Sequence, residues 1–67
     1  MVYVENFNES ISLENLAKIF ERYGVFTVDK DKNNQYAFVH LKQPDQAAQD
    51  INGTNNNGKK LLVLTHS

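Results

Sequence analysis

Strand-forming residues are concentrated in four short segments of the chain. Residues 2–7 alternate in character and are rich in strand formers, and residues 36–41 alternate strictly. Two further runs of apolar and β-branched residues lie between and after these segments. A period of two places successive side chains on opposite faces of a strand. The chain therefore predicts four strands, at residues 2–7, 25–28, 35–41 and 61–64.

Two stretches between these strands follow the period of a helix. From Leu13 to Tyr23 the apolar residues recur at three- and four-residue spacing, with Ser12 as the N-cap and Gly24 where a left-handed residue is favoured. Pro44 suits the first turn of a second helix. The order β-α-β-β-α-β predicts an α+β, ferredoxin-like sandwich, in which two helices cover one face of a four-stranded antiparallel sheet.

The third strand indicates what the uncovered face of that sheet carries. One face of residues 36–41 is small or branched and suits the core, so Tyr36, Phe38 and His40 would lie on the other face. The same alternation in the first strand leaves Tyr3 outward beside them. Exposed apolar patches mark binding sites, and flat exposed rings suit the stacking of unpaired nucleotide bases.

Composition excludes several classes of function. The 67 residues include no cysteine and two isolated histidines, so we expect no disulfide, no metal site and no cofactor. No apolar run approaches the roughly 20 residues that span a bilayer, and no secretory signal is visible. We expect an intracellular domain with no membrane partner. Residues 1–67 would form a single domain, taken from a longer multidomain protein.

The charge balance limits how nucleic acid would be bound. Seven basic residues stand against eight acidic ones, which gives a formal net charge of -1. Proteins that bind mainly by neutralising phosphates are usually strongly basic. Stacking would therefore carry much of the affinity, and binding by this domain alone would be weak.

Two motifs resemble signatures of the RNA recognition motif family. Residues 2–7, VYVENF, resemble the first signature, and residues 34–41, NQYAFVHL, resemble the second. The helix between them and residues 58–63 also match the family's spacing, so the resemblance covers essentially the whole chain. The short connection between the second and third strands is similar to that of RNA-recognition domains in some splicing regulators.

This resemblance implies a module that binds single-stranded RNA, with single-stranded DNA as a second candidate ligand. The family's stacking positions fall on Tyr3, Tyr36 and Phe38. The basic residue that opens the family's second signature is Asn34 here. Lys30 and Lys32 lie nearby and would have to replace it, although aspartates alternate with them.

Four further residues complete the predicted interface: His40, Leu62, Leu64 and His66. Outward leucines on the last strand also favour an alternative, a protein-interaction module that uses the helices or the Leu62 and Leu64 edge. Its partner would be a neighbouring RNA-recognition domain or another protein, and the isolated domain would be a monomer. His40 has no nucleophile or orienting carboxylate placed for it by the sequence, so we predict no enzyme.

Overall fold

The computed structural model describes residues 1–8, 10–31 and 35–66. Over these residues the chain forms a four-stranded antiparallel sheet and two α-helices, which confirms the predicted α+β, ferredoxin-like fold. The elements are β1 Val2–Glu5, α1 Leu13–Phe20, a 3₁₀ turn Glu21–Tyr23, β2 Val25–Asp29, β3 Tyr36–Leu41, α2 Pro44–Ile51, β4 Asn55–Asn56, β5 Lys59–Lys60 and β6 Leu62–Thr65.

The sheet has the strand order β2-β3-β1-β6, so β1 and β3 are central. α1 packs against β2, and α2 packs against β6 and β1. The core lies between the helices and one face of the sheet, because alternate strand residues point toward the helices. Its fully buried large side chains are Phe20, Leu16, Val2, Val4, Val39 and Val63.

The first helix begins as predicted and ends in a tighter turn. The Ser12 hydroxyl accepts a hydrogen bond from the Asn15 backbone N–H at 3.1 Å, which satisfies one free donor at the helix start. The α-helix ends at Phe20, three residues before the predicted end, and a 3₁₀ turn follows. Gly24 then terminates the turn with φ 79°. The tightened turn keeps Tyr23 buried in the core.

The second helix is held to the sheet at its C-terminal end. Pro44 occupies its first turn, as predicted. After the helix, the Asn52 side-chain oxygen accepts a hydrogen bond from the Val63 backbone N–H at 3.0 Å. Both α-helices have eight residues, and no helix in the described ranges has the length and apolar character to cross a membrane.

Several strand boundaries differ from the prediction by one or two residues, and two of these differences arise from contacts between distant residues. β1 ends at Glu5, since Asn6 adopts φ 66° and its side-chain amide donates to the Lys60 carbonyl at 2.7 Å. The segment after α2, predicted as a loop, contains the short β4–β5 hairpin. Asn57 and Gly58 both have positive φ, as a two-residue hairpin turn requires. The last strand consequently begins at Leu62, one residue later than predicted.

Candidate nucleic-acid interface

Three aromatic rings meet on the uncovered face of the sheet. Tyr3 on β1 lies opposite Phe38 on β3, and Tyr36 lies on the same strand as Phe38, two residues earlier in the chain. The ring centroids of Tyr3, Tyr36 and Phe38 are 5.6–5.8 Å apart, and the ring planes are tilted or edge-on to one another. These are favourable geometries for aromatic pairs. We call these three residues the ring cluster; the alternation of β1 and β3 brings them together as predicted.

A hydrogen bond fixes the position of one ring. The Tyr3 hydroxyl donates to a Glu5 carboxylate oxygen at 2.6 Å. This bond raises the pKa of the Tyr3 phenol above its ordinary value, and partial burial and the Glu5 charge act in the same direction. The phenol therefore stays protonated as a donor, and the Glu5 charge lies beside the ring cluster.

The β6 side brings two predicted residues, His66 and Leu64, beside the ring cluster, and a third, Leu62, beside Glu5. The His66 ring meets Phe38 edge-on, with 5.3 Å between the centroids. The His66 backbone N–H donates to the Met1 carbonyl at 2.9 Å, which extends the pairing of the terminal strands. Leu64 lies opposite Tyr3 and is 49% exposed, whereas Leu62 lies opposite Glu5 and is half-buried.

On the β2 side, the predicted residues lie beside aspartates. The His40 imidazole is half-exposed, and its Nε2 lies 3.5 Å from an Asp29 carboxylate oxygen. The Lys30 ammonium lies 5.7 Å from the ring centroid of Phe7. Lys30 also lines a groove of about 230 Å³, whose other lining residues are Asp29, Asp31, Tyr36 and Phe38. Lys32 and Asn34, which the prediction also used, lie outside the described residues.

A larger groove at the end of β1 contains basic residues that the sequence analysis did not assign to the interface. It has a volume of about 540 Å³ and lies between the start of β6, the end of β1 and the β4–β5 hairpin. Lys59 and Lys60 line it and are exposed. The Asn57-Gly58 pair indicates a tight hairpin turn and would have predicted that these lysines pair with residues 55–56, whereas no local signal places them beside β1. Within the described ranges, no three His, Asp or Glu side chains converge to hold a metal ion.

Many solved structures have the same fold as this chain. The RRM domain of S. pombe Puf1 is 18% identical, covers 98% of this chain and 96% of its own, and gives a TM-score of 0.86. The C. elegans NONO-1 homodimer gives the same identity and TM-score, but this chain spans only 28% of that chain. The PID-3 TOFU-6 RRM domain complex is 24% identical over 94% of this chain and 86% of that chain, with a TM-score of 0.80. At these identities the similarity shows the fold.

A match of the sequence to a family model establishes the family. The family model described as RNA recognition motif matches residues 2–62, which include β1, β2 and β3 and end at the first residue of β6. The chain therefore belongs to the RNA recognition motif family. Domains of this family are RNA-binding modules and are typically not enzymes.

Proposed function

We propose that this domain binds single-stranded RNA by stacking bases on the ring cluster, and that it binds weakly on its own. The observation that carries the proposal is the meeting of Tyr3, Tyr36 and Phe38 on the face of the sheet opposite α1 and α2. Tyr3 and Phe38 would each stack on one base, and Tyr36 would pack on the sugars between them. His66, edge-on to Phe38, extends the same surface.

The number of rings limits the affinity. Stacking on an aromatic side chain contributes about 1–3 kcal/mol per base, so two bases contribute about 2–6 kcal/mol. Association and the ordering of the RNA strand oppose this gain. A micromolar dissociation constant corresponds to about 8 kcal/mol, so we expect micromolar or weaker binding to two to four nucleotides. Neighbouring domains in the same protein would raise the affinity through effective concentration.

Electrostatic support for RNA is small. Lys59 and Lys60 line the groove at the end of β1 and would meet a phosphate there. Glu5 lines the same groove, and Asp29 and Asp31 flank Lys30 at the other groove. Each phosphate contact adds about 0.7 to the slope of log affinity against log salt. We expect a slope of about one or less, and similar binding to single-stranded DNA, since stacking does not require the 2′-hydroxyl.

The test is a titration of labelled protein with short homopolymer RNAs, observed residue by residue by NMR. We expect the amide signals of Tyr3, Tyr36 and Phe38 to shift while those of the helices stay in place. The double variant Tyr36→Ala with Phe38→Ala should lose this binding and remain folded. Leu13→Ala, which changes an exposed residue on the helix side, is the matched control and should bind as the wild type does.

Two results would contradict the proposal. Unchanged RNA affinity in a folded double variant would exclude the ring cluster as the binding site. Shifts confined to the helices, or to Leu62 and Leu64, on addition of a partner protein and none on addition of RNA would favour the protein-interaction alternative.

A further inference from the structure

The edge strand β2 contains a bulge next to a large exposed side chain, Phe26. β2 pairs with β3 through Val25 opposite Leu41 and then Thr27 opposite His40, so the register shifts by one residue between them. Phe26 is the additional residue. A bulge places two residues of one strand opposite a single residue of the other, so Phe26 and Thr27 share His40 as their partner.

Burial confirms the direction of the Phe26 side chain. Val25 and Val28, on either side of the bulge, pack against the core. The two residues between them therefore both lie away from the helices. Phe26 is 68% exposed, more than Tyr36 at 39%, although both are aromatic residues of the same sheet. The bulge thus places two consecutive residues, Phe26 and Thr27, on the uncovered side, where regular alternation would have allowed only one of them.

A lysine is held next to this ring by its backbone and by a glycine. The Lys42 backbone N–H donates to the Gly24 carbonyl at 3.0 Å, which fixes Lys42 beside the start of β2. The Lys42 side-chain carbons lie 3.1–3.2 Å from the position that a Cβ on Gly24 would occupy. The missing side chain at Gly24 therefore makes room for the lysine stem. The Lys42 ammonium lies 5.9 Å from the ring centroid of Phe26, within the range of a cation–π contact.

An exposed ring next to an ammonium group offers the two contacts that a nucleotide uses. The base stacks on the ring, and the cation neutralises the phosphate. We propose that Phe26 and Lys42 form a further nucleotide subsite, which takes a later nucleotide of the RNA strand that lies on the ring cluster. This inference rests on the proposed function.

The position of the subsite agrees with a continuous strand of RNA. β2 neighbours β3, and Phe26 lies opposite His40, two residues along β3 from Phe38. Strand geometry places the Phe26 backbone about 5 Å across the sheet and about 7 Å along it from Phe38. A single-stranded RNA that leaves Phe38 toward β2 reaches Phe26 after a short run of nucleotides.

The neighbouring charge favours RNA over a protein partner at Phe26. A protein interface would bury the ring together with the Lys42 ammonium, and lysine is depleted in the buried centres of interfaces. An RNA phosphate gains from the same ammonium. Leu13, an aliphatic residue that is exposed on the helix side, serves as the comparison residue.

The test compares a uridine dinucleotide, which occupies only the ring cluster, with a uridine octanucleotide, which reaches both sites. Phe26→Ala should weaken octanucleotide binding roughly fivefold to a hundredfold, and leave dinucleotide binding unchanged. Phe26→Tyr should retain the affinity, whereas Phe26→Leu should lose it, because leucine has no flat face. Lys42→Gln should reduce the salt slope of octanucleotide binding by about 0.7. Leu13→Ala should change none of these values.

The outcomes separate this inference from the proposed function. If Phe26→Ala leaves octanucleotide binding unchanged while Tyr36→Ala with Phe38→Ala abolishes it, the subsite is wrong and the proposed function stands. If the wild type binds neither oligonucleotide, the proposed function fails and the subsite with it. If Phe26→Ala alters the sedimentation of the protein without altering RNA affinity, Phe26 is a protein contact and the subsite is excluded.

Discussion

The two faces of the four-stranded sheet are built from alternate residues of the same strands, but they are packed differently. On the covered face, Val4, Ala37 and Val39 have no exposed surface. On the uncovered face, Tyr36 is 39% exposed and Phe38 is half-buried, although each ring contacts two others. Aliphatic side chains on one face are covered by helices, whereas the rings on the other face pack against one another and against His66.

This difference separates stability from binding. Aliphatic burial under the helices removes apolar surface from water and supplies most of the folding free energy. Contacts between rings contribute about 0.5–1.5 kcal/mol per pair and leave parts of the ring surfaces open to a ligand. Substitutions on the covered face should therefore change stability, and substitutions on the uncovered face should change RNA binding.

The largest effect is expected on the helix side. Phe20 is fully buried, so Phe20→Ala should lower the free energy of unfolding by about 3–5 kcal/mol. A domain of this size has a total of about 3–10 kcal/mol, so much of the variant should be unfolded at room temperature. Thermal unfolding, monitored by circular dichroism, measures the loss of stability. Leu13→Ala on the same helix is the control and should stay within about 0.5 kcal/mol of the wild type. A wild-type Tm for Phe20→Ala would contradict the assignment of the core.

Two adjacent residues of β3 provide the sharpest comparison. Val39→Ala should lower the free energy of unfolding by about 2–3 kcal/mol, and the folded fraction should bind RNA normally. Phe38→Ala should weaken RNA binding roughly fivefold to a hundredfold, with a smaller loss of stability of about 1–2 kcal/mol. Urea unfolding and NMR titration measure the two quantities. The comparison fails if both substitutions mainly lower the free energy of unfolding, or if both mainly weaken RNA binding.

A smaller effect should appear when the charge beside the ring cluster is removed. Glu5→Gln keeps a hydrogen-bond acceptor for the Tyr3 hydroxyl but removes a carboxylate that would repel RNA phosphates. RNA affinity should rise about two- to fivefold, as expected for one exposed charge pair. The pKa of Tyr3 should fall toward its ordinary value, because the bond to the carboxylate is the main cause of its rise. An NMR pH titration of the tyrosine rings measures this pKa. An unchanged pKa would show that the bond to the Glu5 carboxylate does not raise it.

The smallest expected effect is on the pH dependence of stability, and it involves residues on the helix side of the sheet. Hydrogen bonds from Gln46 and from the Tyr23 hydroxyl, at 2.9 and 2.8 Å, lower the pKa of the Asp50 carboxyl. A lowered pKa in the folded state stabilises the protein above the unfolded value of about 3.9, and this contribution is lost as pH falls through the lowered pKa. Tyr23→Phe should therefore make the loss of stability in acid less steep and reduce Tm at neutral pH by a few degrees.

The Tyr23 hydroxyl should make the stability of the protein fall as pH rises in the alkaline range. Burial and the bond to Asp50 raise its pKa, so its contribution is present below about 10 and is lost as pH rises through the raised pKa. Thermal unfolding of the wild type and of Tyr23→Phe across the pH range measures both effects. RNA binding at neutral pH should be unchanged; a change would mean that the two faces are coupled.

Most of the fold and the centre of the site could be predicted from local patterns. The alternation of residues 36–41 assigned Tyr36 and Phe38 to the uncovered face, and the structure agrees. Ser12 and Gly24 were identified as helix termini because capping depends on a few neighbouring residues. The end of α1 was placed three residues too late, since the periodicity that includes Tyr23 does not distinguish an α-helix from a final 3₁₀ turn.

By itself, the sequence determined which side chains share a face of β1 and of β3, because in a regular strand this property has a period of two and is local. Only the tertiary structure decided what depends on pairing between distant segments. The bond from Asn6 to Lys60 ends β1 and brings the β4–β5 hairpin beside it. The register of β2 against β3 creates the bulge that places Phe26 and Thr27 on the same face. Register is a relation between two strands, so neither strand's own pattern contains it.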